Sequence, residues 1–96
     1  MELEVTGAVW YWRGPSPYHF VTVPDDAAER IGEVAGLVSY GWGVIPVTAR
    51  CGGATFTTSL FPKDGGYAVP LKAAVRRAEG IELDDVVTLR LEIAGP

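Results

Sequence analysis

The sequence predicts a mainly β fold, a closed or nearly closed barrel of about six strands carrying two short helices. Three observations predict it. Six short runs alternate apolar and polar residues or are rich in β-branched and aromatic types, and Gly, Pro and Asp separate them. Two segments switch to helical spacing, in the order ββαββ(β)αβ. Finally, 96 residues, 48% hydrophobic and 21% charged, fold around one core. So many short strands in so small a chain are best accommodated by a sheet that closes on itself, which removes exposed edges.

LEVTGAVWYW (3–12) opens as a strand. Leu3, Val5, Val9 and Tyr11 share one face, which turns Trp10 and Trp12 to the other. RGPSP (13–17) is a turn by its Gly and two prolines, and YHFVTV (18–23) is the second strand of a hairpin. PDDAAERIGEVAG then changes period. Asp25 or Asp26 can cap the first free N–H groups, Asp26 and Glu29 have capping-box spacing, and Ala27, Ile31, Val34 and Ala35 form one stripe. Gly36 suits the position just past the helix end. SYGWG (39–43) reads as a bend held by Trp42.

GVIPVTARCGGATFTTSLF is the clearest hairpin. With Gly52-Gly53 as a two-residue loop, Cys51 faces Ala54, Ala49 faces Phe56, Val47 faces Thr58 and Ile45 faces Leu60. Pro46 lacks a ladder donor and belongs at an edge or bulge. GYAVP (66–70) is a short strand. Pro70 suits a first helical turn, and LKAAVRRAEG follows as a helix with Leu71, Ala74, Val75 and Ala78 inward and Gly80 closing it. In DDVVTLRLEI (84–93), Val87, Leu89, Leu91 and Ile93 alternate with Thr88, Arg90 and Glu92.

Composition narrows the function classes. The single cysteine, Cys51, excludes an internal disulfide and a multi-Cys zinc site. No charged and apolar leader follows Met1, and no apolar run reaches the roughly 18 residues a membrane helix needs. The expectation is one cytoplasmic domain over residues 1–96. A net charge of −4 argues against nucleic acid as a partner. Yet three of the eight basic residues fall within 72–77.

The order SLFP, GGY, VPLK, AVR, AEG and a final D-V strand, preceded by HFVTVP and GWG, resembles the DUF1905 family of small bacterial proteins over roughly Val5 to Ile93. The resemblance implies a double-split β-barrel, a topology distantly shared with AbrB/MazE-like regulators and antitoxins, and it implies no chemistry. The chain departs from the family where Gly-Asp commonly precedes the last strand; here it has Asp84-Asp85.

Lys63, Lys72, Arg76 and Arg77 form the leading candidate site, for an anion. Lys72 and Arg76 stand at i and i+4, Lys72 falls by this reading in a first helical turn whose dipole favours negative charge, and the FPKDGG loop carries Lys63. The plain alternative is a solvated face, with Arg76 and Arg77 suiting the helix C-terminus and Glu79 pairing with Arg76. Asp64-Gly65-Gly66 matches no phosphate-loop pattern and reads as a hairpin turn. His19 has no metal-ligand neighbours in sequence and reads as structural. Ser59 lacks a nucleophile elbow, while Asp25-Asp26 and Asp84-Asp85 suit capping and turns. Trp10, Trp12 and Trp42, if they converge, would wall an apolar pocket or partner surface; otherwise they form a small second cluster under the helix.

These readings favour a non-enzymatic binding module, monomer or homodimer, without cofactor or metal, recognising a small anionic ligand or a protein partner. The alternative is a nucleic-acid-binding regulator, by analogy with AbrB/MazE-like barrels. An enzyme would require His19, Ser59 or Cys51 to meet a carboxylate in one cleft.

Overall fold

A computed structural model describes residues 1–15, 18–38 and 44–93. The elements run β1 (Glu2–Trp12), β2 (Tyr18–Thr22), α1 (Asp25–Val38), β3 (Ile45–Cys51), β4 (Ala54–Lys63), β5 (Gly66–Pro70), α2 (Ala73–Glu79) and β6 (Val86–Glu92). All strand pairs are antiparallel, and they close a barrel in the order β1-β2-β5-β4-β3-β6. The expected fold class is therefore the observed one. β1 is shared between two ladders: Glu2–Ala8 pair with β6, and Val9–Trp12 pair with β2.

Period-two patterning puts the apolar side chains inside. Val5, Val9, Val21, Ile45, Leu60, Leu89 and Leu91 are almost wholly buried in one cluster, and among the described residues no polar or charged side chain joins them. The β3–β4 hairpin adopts the expected register, Ile45 opposite Leu60 through Cys51 opposite Ala54. Pro46 lies beyond Thr48–Arg50, the part of β3 that pairs with β6, so its missing N–H leaves no gap in that ladder. The β4–β5 loop is Asp64-Gly65, with φ of 50° and 81°, a two-residue turn whose twist matches the flanking strands.

Both helices depart from the sequence reading in their ends. In α1 the Pro24 carbonyl accepts the first helical bond, from Ala28 N at 2.8 Å, so Asp25 and Asp26 lie inside the first turn instead of capping it. Asp26 Oδ1 accepts from Ala27 N. The helix continues through Gly36 to Val38; a glycine inside a helix costs only about 1 kcal/mol relative to Ala. The α2 helix starts late because the ladder claims its expected first turn: Pro70 pairs with Phe20, and Leu71 N donates to the His19 carbonyl. Lys72 becomes the N-cap residue in extended backbone, φ −65° and ψ 145°. The helix then buries Val75 and leaves Ala74 and Ala78 exposed. It ends at left-handed Gly80 with the paired bonds Ile81 N to Arg76 O and Gly80 N to Arg77 O of a Schellman motif. α1 packs against β5 and β3, and α2 against β4.

Candidate functional site

The outward positions of one half of the barrel are rich in aromatic residues. On β1 and β2 the cross-strand pairs Trp10–Phe20 and Trp12–Tyr18 put four rings on the outer face. Phe61 of β4 joins them beside Ala68 of β5. Phe20 is the hub: its ring lies 5.2 Å from Trp10, stacked, 5.8 Å from Tyr18, and 6.5 Å from Phe61 in an edge-on contact. These are separations at which aromatic pairs attract. Small or rigid residues, Ala68, Pro70 and Pro46, leave room between the rings and floor an open groove of about 910 Å³.

The groove carries a definite charge. Both lysines of the chain, Lys63 and Lys72, line it, and none of its twelve acidic residues does. Lys63 Nζ sits 5.5 Å from the Trp10 ring centroid, over its electron-rich face, and 4.0 Å from the exposed Asp64 carboxylate. Lys63 pairs with Gly66, and Lys72 follows six residues further along the same extended run, so the two are attached roughly 20 Å apart at about 3.3 Å per residue. They stand at opposite ends of the row of rings. A second cleft of about 950 Å³ lies beyond Trp10, between α1 and the β4–β5 turn, and is lined by Asp25, Glu29 and Asp64. Trp10, Pro62, Lys63 and Ala68 line both clefts.

A family model described as a domain of unknown function, DUF1905, matches residues 6–91. The chain belongs to the DUF1905 family. No curated protein matches it.

Of the anion set expected from sequence, this DUF1905 chain brings Lys63 and Lys72 to the groove, whereas Arg76 and Arg77 line neither cleft. Lys72 precedes α2, so it is not on a helical face with Arg76, and Arg77 is exposed. Arg76 is half-buried with its Nε unpartnered and acts on His19 instead. Glu79 pairs with neither arginine among the described contacts; it accepts a hydrogen bond from Gly53 N at 3.2 Å. Trp10 and Trp12 meet on the groove, and Trp42 lies outside the described residues.

The groove aromatics Tyr18, Phe20 and Phe61 were not singled out as site residues from sequence. The signal was present. Strand alternation puts His19 on the face of Val21 and Val23 and so turns Tyr18 and Phe20 outward, and pairing that strand with β1 sets them opposite Trp12 and Trp10.

The nucleophilic candidates are separated. Ser59 lines the groove, while His19 faces the other way, its ring 4.8 Å from Tyr11. Burial, and then the Arg76 guanidinium, hold the His19 imidazole below its ordinary pKa. Cys51 is buried, and burial together with Glu79 pushes its thiol up, which keeps it in the unreactive form. Among the described residues no group of three His, Cys, Asp or Glu could hold a metal ion, and no helix is long and apolar enough to cross a membrane.

Proposed function

We propose that this protein is a non-enzymatic binding module of the cytoplasm whose site is the aromatic groove on the outer face of the barrel. Its ligand is anionic and elongated, with flat apolar parts. One observation carries the reading: both lysines and five aromatic rings line a groove that excludes every acidic residue of a chain with net charge −4. Rings supply desolvated stacking area, and the two ammonium groups select negative charge at either end. The spacing of the lysines replaces the compact site on one helical turn that sequence spacing suggested.

The test is thermal melting against naphthalene sulfonates, mononucleotides and aromatic carboxylates, in parallel on the parent protein and on Trp12→Ala/Lys72→Ala. A ligand at 100 times its dissociation constant adds about 2.7 kcal/mol, a shift of several degrees for a domain this size. A shift confined to the parent protein supports the reading. No shift with any of these anions, or an equal shift in the variant, overturns it.

A further inference from the structure

We infer that the ligand of this groove is a single-stranded nucleic acid, its bases stacked on the groove rings and its phosphates held by Lys63 and Lys72. The inference rests on the groove reading above and names its ligand class.

Four features of the molecule lead there. The first is the shape of the charge. Most of the acidic residues lie elsewhere, Glu2, Glu4 and Glu92 on β1 and β6, the α1 acids, Glu79 on α2 and the 82–85 turn, while Asp64 stands 4.0 Å from Lys63. The lining residues carry two ammonium groups and no carboxylate, and even with Asp64 counted against Lys63 the local charge is positive, opposite in sign to that of the whole chain.

The second feature is the state of the rings. Trp12, Tyr18 and Phe61 keep 39%, 37% and 45% of their surface exposed. They line the groove without being absorbed by the core, and their spacing follows cross-strand neighbours on one sheet face. Stacking of successive bases on such rings is tolerant of sequence because every base offers a flat face.

Closure of the barrel is the third. Extended peptides usually bind by adding a strand to an open sheet edge; every strand here has two neighbours in the closed order, although β4 meets β5 only at Phe61–Lys63, and Ala54–Leu60 pair with β3 alone. A peptide lying across the rings, off that edge, would gain no ladder hydrogen bonds. Stacking and charge are the interactions the face offers, and a single strand uses both.

The fourth is length. The roughly 20 Å between the lysine attachment points, at about 3.3 Å per residue, suits a strand of about four nucleotides, the lower end of the range for one small barrel. In a duplex the base faces are already stacked on each other, so the rings have nothing to take. The duplex arm of the experiment separates stacking of a single strand from binding to paired DNA.

The experiment titrates the protein with labelled oligothymidylate and oligouridylate of 4, 8 and 12 nucleotides, following anisotropy and tryptophan emission over a salt series. A matched duplex and a polyglutamate peptide are the comparison arms. The expected result is binding of the single strands with quenched emission, the two backbones distinguishing DNA from RNA. The log–log salt slope should be about −1.4 for two phosphate contacts. Trp12→Ala and Phe61→Ala, exposed changes that spare the core, should each weaken binding about fivefold or more with melting temperature little changed. Lys63→Ala or Lys72→Ala should reduce the slope by about 0.7, and Arg30→Ala, on α1, should leave binding as it was.

Failure of every single strand to bind overturns the inference, as does equal binding of the duplex, a preference for polyglutamate, or indifference to the four groove variants. If aromatic anions shift the melting temperature while the strands do not bind, the groove reading stands and this inference alone falls.

Discussion

Trp10 donates its indole N–H to Thr22 Oγ1 at 2.9 Å, tying the ring that separates the two clefts to the neighbouring strand. Stacking on Phe20 fixes one side of the indole, and the Lys63 ammonium covers its face. Thr22→Val keeps the shape of the residue and removes the acceptor. The bond is exposed, so the cost should lie near the low end of the range for hydrogen bonds, about 0.5–1 kcal/mol. Urea denaturation should show a lower midpoint at unchanged slope.

Gly52 and Glu79 form a second dependence, between the β3–β4 turn and α2. Gly52 has φ +57°, and a Cβ there would collide with the Glu79 carboxylate, which accepts from Gly53 N. Gly52→Ala combines a left-handed alanine, which costs about 1–2 kcal/mol, with displacement of Glu79. Glu79→Ala alone should cost under about 1 kcal/mol, since it removes one exposed hydrogen bond. Once Glu79 is absent the glycine substitution should cost less. A double-mutant cycle by chemical denaturation should therefore give a coupling of at least about 0.5 kcal/mol; simple additivity would contradict the contact.

His19 makes stability depend on acid. Its folded pKa lies below the ordinary 6.5 because burial and then Arg76 disfavour the imidazolium. Between those two values the unfolded chain binds more protons than the native one. The contribution is thus fully present above about 6.5 and is lost as pH falls through the folded pKa. Denaturation curves between pH 7.5 and 5 should show this decline, and His19→Gln should flatten it.

Cys51 works at the other end of the scale. Burial, then Glu79, raises its thiol above the ordinary 9.0, so the native state keeps the proton longer than the unfolded chain does. This contribution is present below about 9 and is lost as pH rises through the folded pKa. Near neutral pH, labelling by a disulfide reagent should be slow in the native protein and fast in urea. Equal rates would show that the thiol is open.

Asp84 occupies a position that glycine would fill without strain. It has φ +71° in the turn closed by Asp85 N to Glu82 O, while Asp85 Oδ2 accepts from Glu82 N at 2.8 Å. Asp84→Gly should relieve the left-handed backbone and stabilise by a few tenths up to about 1 kcal/mol, the gain being offset in part by added freedom of the unfolded chain. Asp84→Val should destabilise by more than this gain. Midpoints measured side by side distinguish the two directions.

The barrel was legible because strand patterning and turn chemistry agree. Cys51-Gly52-Gly53-Ala54 sets one register, and Val87 to Ile93 alternate without a break. Helix ends were less legible because long-range pairing decided them: Pro70 looks like a helix opener, yet its neighbour in space, Phe20, holds it in a strand. That shift of two residues also removed Lys72 from the face of Arg76. The groove was half legible. Outward Trp10 and Trp12 followed from β1 alone, whereas their convergence with Phe61 and Lys63 depends on β5 lying between β2 and β4. Such adjacency between strands distant in sequence leaves no local trace.

The two ladders of β1 also impose an order on synthesis. Residues Glu2–Ala8 have β6 as their pairing partner, and β6 is made about eighty residues later. Closing this ladder is a long-range contact of the kind that slows folding, because the first half of β1 has no strand partner until β6 is present. Glu2 and Glu4, which end up opposite Glu92 and Arg90, are the charges carried on that waiting edge. Like charges on an unpaired strand edge disfavour edge-to-edge pairing of two copies until that seam is shut.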